Sequence, residues 1–246
     1  MTRPIYAAGA DGCPGGWLCV AFPLDEGPKA ARSTLYPDIE RLLEALGAST
    51  LLAVDMPIGF PDTAEQGGRQ AEREARAVLG GRQSSVFATP ARAALGAEDY
   101  RAACTLNRAH SKPPKGLSKQ CWNLFPKIRE LDAVLTPALQ ARVKECHPEV
   151  AFWVLNGCQA LETPKKVKSR PNPEGLAQRR RLLEAQGYPP DFLIPTLTGS
   201  KVGPDDLLDA CAIATTAARI VAGTAHRFPV GEVPYDARGL AMEIWG

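Results

Sequence analysis

The chain has 246 residues, 29 Lys and Arg against 27 Asp and Glu, 45% hydrophobic residues by count and a formal net charge of +2. That length can bury a core without covalent staples, and the near balance of charge excludes a uniformly cationic nucleic-acid coat and an acidic disordered tail. No run of about 18 apolar residues occurs, so no membrane-spanning helix is expected. The segment Met1-Thr2-Arg3-Pro4-Ile5 lacks the apolar core of a secretion signal. Seven cysteines, an odd number with no C-x-x-C pair, argue against a disulfide framework and a Cys-rich zinc site. The expectation is a cytoplasmic protein with reduced thiols, in which Cys211 is small core filler.

In chain order, Ile5 to Asp11 reads as a strand, Gly12-Cys13-Pro14-Gly15-Gly16 as a turn, and Trp17 to Phe22 as a second strand. Together they predict an antiparallel hairpin with a loop longer than the tightest turns use. A third strand is expected around Thr34 to Tyr36, then a helix from Pro37 to Leu46 with Ile39, Leu42, Leu43 and Leu46 on one face and Gly47 as its stop. The unbroken apolar run Leu51 to Val54 reads as a strand buried on both faces, ending at Asp55. Further helices are predicted over Arg69 to Leu79, 98–108, about 119–145, Asn172 to Gln186 and Asp205 to Ala222. No linker divides the chain, so 1–246 is expected to be one domain. The order implies an α/β layer of the ribonuclease-H-like kind: an antiparallel hairpin plus a third strand, then parallel strands, with flanking helices and a mainly helical insertion at about 60–145.

The chemistry-bearing residues are acids. Asp11 and Asp55 end two predicted strands, and parallel neighbours would bring them together. Two adjacent carboxylates repel unless a proton or a cation sits between them, and Mg²⁺ takes oxygen ligands. Asp before Gly also reads as a plain turn residue; for Asp55, a charge closing an apolar strand calls for a reason. In Gly203-Pro204-Asp205-Asp206-Leu207-Leu208-Asp209-Ala210, Asp206 and Asp209 share a helix face. Asp205 is a natural N-cap, and acids in a first turn also serve the helix dipole alone. Glu149 follows His147-Pro148, which can aim it at a site or simply open a helix with Pro first; His147 reads as a packing or supporting residue.

Charge is unevenly spread. Residues 101–130 carry net +6 and residues 160–185 net +4, leaving −8 elsewhere. An acidic centre with basic flanks suits a bound polyanion, although charge runs also form solvated faces. Ser84 and Ser85, after Gly80-Gly81, could offer hydroxyls and backbone N–H groups to phosphate, but no Walker A pattern is present.

Several motifs in order carry a resemblance: Gly9-Ala10-Asp11-Gly12-Cys13-Pro14-Gly15-Gly16-Trp17, Val54-Asp55-Met56-Pro57-Ile58-Gly59, Arg82-Gln83-Ser84-Ser85-Val86-Phe87, Gly116-Leu117-Ser118-Lys119-Gln120, Pro126-Lys127-Ile128, His147-Pro148-Glu149-Val150 and Asp205-Asp206-Leu207-Leu208-Asp209-Ala210. Over nearly its whole length the chain resembles domain-of-unknown-function family 429, regarded as ribonuclease-H-like nucleases. The resemblance implies that Asp11, Asp55, Asp206 and Asp209 bind two Mg²⁺ or Mn²⁺ ions, and Glu149 matches a family motif. The expected activity is two-metal phosphodiester hydrolysis, with nucleic acid as partner, no membrane and homo-oligomerisation left open. Ser84, Ser85, Arg92, Lys119 and Lys127 are the candidate phosphate contacts. Two rival readings stand beside it: a phosphotransferase or nucleotide binder of the actin-like and sugar-kinase type, and a non-catalytic nucleic-acid or protein-binding module.

Overall fold

The computed structural model describes residues 4–168, 170–194 and 202–246. Its centre is a five-stranded mixed sheet. Strand β1 (Tyr6–Cys13) pairs antiparallel with β2 (Gly16–Pro23), which pairs antiparallel with β3 (Arg32–Tyr36). On its other edge β1 pairs in parallel with β4 (Thr50–Val54), and β4 in parallel with β5 (Val143–Glu145), so the order is β3-β2-β1-β4-β5. Cys13 faces Gly16 across the hairpin, so the loop is the two residues Pro14 and Gly15, tighter than the Gly/Pro density suggested.

Helix α1 (Ile39–Leu46) follows β3, with the Asp38 side chain capping the Arg41 N–H at 2.8 Å. Between β4 and β5 run α2 (Gln70–Val78), α3 (Tyr100–Ala109) and α4 (Lys119–Val134). After β5 come α5 (Pro148–Leu155), α6 (Pro173–Glu184) and α7 (Pro204–Ala222). The helix expected over about 119–145 is shorter. It ends at Val134, because residues 143–145 bond to the buried edge of β4 and become a sheet strand. The helical insertion therefore closes before residue 143. Residues 80–85, which carry Ser84 and Ser85, form a short 3-10 segment. Among the described residues no helix is long and apolar enough to cross a membrane. All seven cysteines are free thiols, and Cys211 is fully buried as core filler.

Strand alternation sorts the sheet's two faces. Ala8, Ala10, Leu52 and Val54 pack with α1 and with Phe125, Ile128 and Leu131 of α4. Ala7, Leu51 and Ala53 pack with α5, α6 and the Ala-rich face of α7. Gly9 shares this second face, and the α7 backbone lies directly over it: a Cβ there would stand 2.2 Å from the Ala214 nitrogen and 2.4 Å from the Ala210 oxygen. Only glycine permits that approach. Asp11 and Asp55 continue the same face, two residues beyond the paired Gly9 and Ala53.

Candidate active site

The site is assembled at the carboxyl ends of β1, β4 and β5. Ala10 pairs with Val54, and the Asp55 N–H donates to the Ala10 carbonyl at 3.0 Å, so Asp11, still within β1, and Asp55, just past β4, stand side by side. The first two turns of α7, brought down by the contact at Gly9, add Asp205, Asp206 and Asp209. Together with Glu72, Glu145 and Glu149 these acids line one cavity of about 350 Å³.

Sequence reasoning made Asp205 the helix cap. Instead Gly203 is the cap and Asp206 turns back to accept its N–H at 2.7 Å. Asp205 lies one turn before Asp209, and both are buried toward the cavity. Between them stands Lys165, whose ammonium bonds to Asp209 Oδ2 and lies 3.9 Å from Asp205 Oδ2, while Lys166 reaches the same Asp205 oxygen at 2.6 Å. Lys165 reaches this position because Gly175 of α6 lets the chain press close: a Cβ on Gly175 would stand 2.1 Å from the Pro164 oxygen.

Two buried arginines back the cavity. Arg179, fully buried on α6, donates to Glu149 Oε1 at 2.6 Å and to the carbonyls of Thr163 and Gly175. Arg69 bridges Glu145 and Glu72 and donates to the Ile58 carbonyl at 2.6 Å, while Glu145 accepts the Ile58 N–H. Arg69 thereby clamps the Met56-Pro57-Ile58 turn that follows Asp55. His147 caps α5: its Nδ1 accepts the Glu149 N–H at 3.2 Å, and its Nε2 lies 3.2 Å from the Ser85 carbonyl. Burial pushes this imidazole down to about 4, so it is neutral at pH 7, with the proton on Nε2 where the carbonyl can accept it.

Eight carboxylates thus face four cations, which leaves a formal −4. Burial first, then the charges of Asp55, Asp209 and Asp206, hold Asp11 well above the usual carboxylate range. Burial lifts Asp55 to about 7 and Asp209 to about 6, with Lys165 opposing both shifts. Burial also raises Asp206, with the Gly203 N–H opposing, and lifts Glu145 to about 7 despite Arg69. Asp205 Oδ1, Asp209 Oδ1 and Glu149 Oε2 are buried without a hydrogen-bond partner. Orphaned hard oxygens in an under-neutralised cavity are a setting that favours cations. Among the described residues, however, no three His, Cys, Asp or Glu side chains form a ready-made ion-binding group; Lys165 supplies the positive charge at the centre.

Of the residues expected from the sequence, Asp11, Asp55, Glu149, Asp206, Asp209 and Ser85 line the cavity. Ser84 is exposed and does not. Arg92 lies elsewhere, paired with Asp132 at 3.1 Å and Asp236 at 2.6 Å. Lys119 sits over the Tyr100 ring, 3.8 Å from its centroid. Lys127 pairs with Glu130 at 3.0 Å, its methylenes beside Gly12. Sequence reasoning missed Glu72, Glu145, Lys165, Lys166, Asp205 as a lining group, Arg69 and Arg179. One signal for Arg179 was present: it falls in helical phase with the buried Leu176 and Leu183, the apolar side of α6. The second basic segment is therefore partly internal counter-charge.

The family described as a protein of unknown function, DUF429, matches residues 9–233. No curated protein and no solved structure matches the chain.

Proposed function

The chain belongs to the DUF429 family, whose description assigns no activity, and from its cavity we propose that it is a divalent-metal-dependent nuclease of ribonuclease-H-like fold. One observation carries this reading: Asp11, Asp55 and Asp209, from three elements distant in sequence, converge on one cavity whose carboxylates outnumber its cations. The sheet order β3-β2-β1-β4-β5, with only β2 running against the others, supports the fold assignment, since it follows the ribonuclease-H-like succession of three antiparallel strands and then parallel ones.

The donor set fits Mg²⁺ or Mn²⁺, because it is all oxygen and one of its atoms, Asp209 Oδ1, is buried with no partner. Asp11, Asp55, Asp206 and Asp209 would hold two ions. Bound there, the metal would acidify a water and neutralise charge on the leaving oxygen. The protein's own part is positional and electrostatic. Asp209 and Asp11, and after them Asp205, keep the Lys165 ammonium charged, their attraction outweighing its burial, so it offers a fixed positive charge to a phosphate oxygen. Arg179 holds Glu149 in one orientation, and Arg69 holds the turn after Asp55. Neutral His147 ties the Ser85 carbonyl to the start of α5.

The test is a cleavage panel of DNA, RNA and hybrid strands with Mg²⁺ or Mn²⁺, run beside Asp55→Asn. Metal-dependent cleavage that falls at least about 100-fold in the variant is expected. Absence of such cleavage across the panel, or equal activity in the variant, overturns the reading.

A further inference from the structure

A second cavity, of about 310 Å³, adjoins the first, and Phe87 and Thr89 line both. Thr89 is immobilised on the wall: its N–H donates to Glu72 Oε2 at 3.0 Å and its hydroxyl bonds the other Glu72 oxygen. Phe87 is half-buried and lines both cavities, so it stands between them. The two cavities differ in charge. The first is crowded with acids, whereas Glu65 is the one acid lining the second, and it is paired with Arg73 at 3.3 Å.

The basic segment of residues 101–130, which the hydrolytic site does not use, gathers around this second cavity. Lys115 lines it, Arg108 packs against the lining residue Gly116, Lys112 precedes the lining Pro113, and Lys119 follows the lining Ser118. All four cations are exposed, and among the described ion pairs none involves them. Other cations of that segment are already engaged: Lys127 with Glu130, and Arg129 with the carbonyls of Leu95 and Ala97.

We infer that the substrate is a single-stranded polynucleotide that runs from the acidic cavity across Phe87 into this second, basic-rimmed cavity. The inference rests on the nuclease reading of the first cavity and adds the strand class and the path. Size supports a single strand: both cavities lie at the small end of the range for ligand pockets, about 300–1,000 Å³, room for about one nucleotide each and none for its paired partner. Chemistry supports the path. An aromatic face stacks any base without reading sequence, and unpaired cations beside it take up the next phosphates. Phe87 is thus assigned as a substrate-stacking residue, and Arg108 and Lys115 as phosphate contacts.

The experiment uses Asp55→Asn, so that binding is read without cleavage, and fluorescence anisotropy with a short labelled strand, free or annealed to its complement. The free strand should bind at least about tenfold tighter than the duplex. Phe87→Leu keeps apolar packing but loses the flat ring, and should weaken strand binding about 5- to 150-fold, while Phe87→Trp keeps it. Arg108→Gln with Lys115→Gln should lower the slope of log affinity against log salt by about 1.4. Equal or tighter duplex binding, or indifference to Phe87→Leu, overturns the path. Metal-dependent cleavage by the parent that ignores Phe87 overturns the path and keeps the nuclease reading. Strand binding through Phe87 with no cleavage by the parent keeps the path and overturns the nuclease reading.

Discussion

Replacing Gly9 by alanine tests whether the fold and the site are set by one contact. The added methyl would stand 2.2 Å from the Ala214 nitrogen and 2.4 Å from the Ala210 oxygen, both backbone atoms of α7. Ordinary contact lies near about 3.5 Å, so α7 must lift from β1 by about 1 Å. Overpacking of this kind costs about 1–3 kcal/mol, and more where the obstacle is backbone. For a chain of this size each kcal/mol lowers the melting temperature by about 2–4 °C, so a fall of about 6–12 °C follows from the upper figure. The same lift carries Asp209 away from Asp11, and a displacement of about 1 Å in a catalytic group costs about 100-fold in rate. The assay is thermal melting by circular dichroism beside metal-dependent cleavage. Gly96→Ala, where a Cβ meets nothing within 4 Å, serves as control and should stay within about 0.5 kcal/mol. If Gly9→Ala melts with the parent and cleaves at the parent rate, the close approach of α7 to β1 is wrong.

Folded Asp55 and Glu145 both stand near 7, above an unfolded value of about 4. The folded chain therefore binds more protons, and stability falls as pH rises through that window. His147, lowered to about 4, acts oppositely below its unfolded value of about 6.5. The melting temperature of metal-free protein should thus fall from about pH 6.5 to about pH 8, less steeply in Asp55→Asn; a rise over that interval contradicts the assignment. Arg179→Met leaves Glu149 buried without its cation and should destabilise by about 3–5 kcal/mol, whereas pairing it with Glu149→Leu should recover most of the loss; equal melting of the two variants would show that the pair is not coupled. Titration of the native protein with a thiol reagent should modify one cysteine, Cys158, the single exposed thiol, and all seven after denaturation. Fast modification of two or more would contradict the burial of the others.

Much of the frame was legible in local pattern. The four-residue apolar run Leu51 to Val54 before Asp55 gave a buried strand because no polar side chain in it needs water. The Leu/Ile spacing of residues 39–46 gave α1, and Pro204 with Gly223 bracketed α7. The misses have one physical cause. Val143–Glu145 is only three residues, and its identity as a strand comes from the free edge of β4, which a local window does not contain. Likewise Asp205 resembles any N-cap until the turn of α7 is docked on the sheet.

The succession of hairpin, third strand, α1 and β4, and the two aspartates at the ends of the paired stretch of β1 and β4, were determined by the sequence alone, since alternation, capping and apolar runs act over a few residues. Tertiary structure decided which charges meet. Lys165 and Arg179 look like members of solvated basic runs, and Glu72 and Glu145 like helix or surface acids, until folding brings them around one cavity. Coulomb interaction depends on distance and on removal from water. Neither is a property of spacing along the chain, so the near-neutral total of +2 gave no sign of a cavity left at −4.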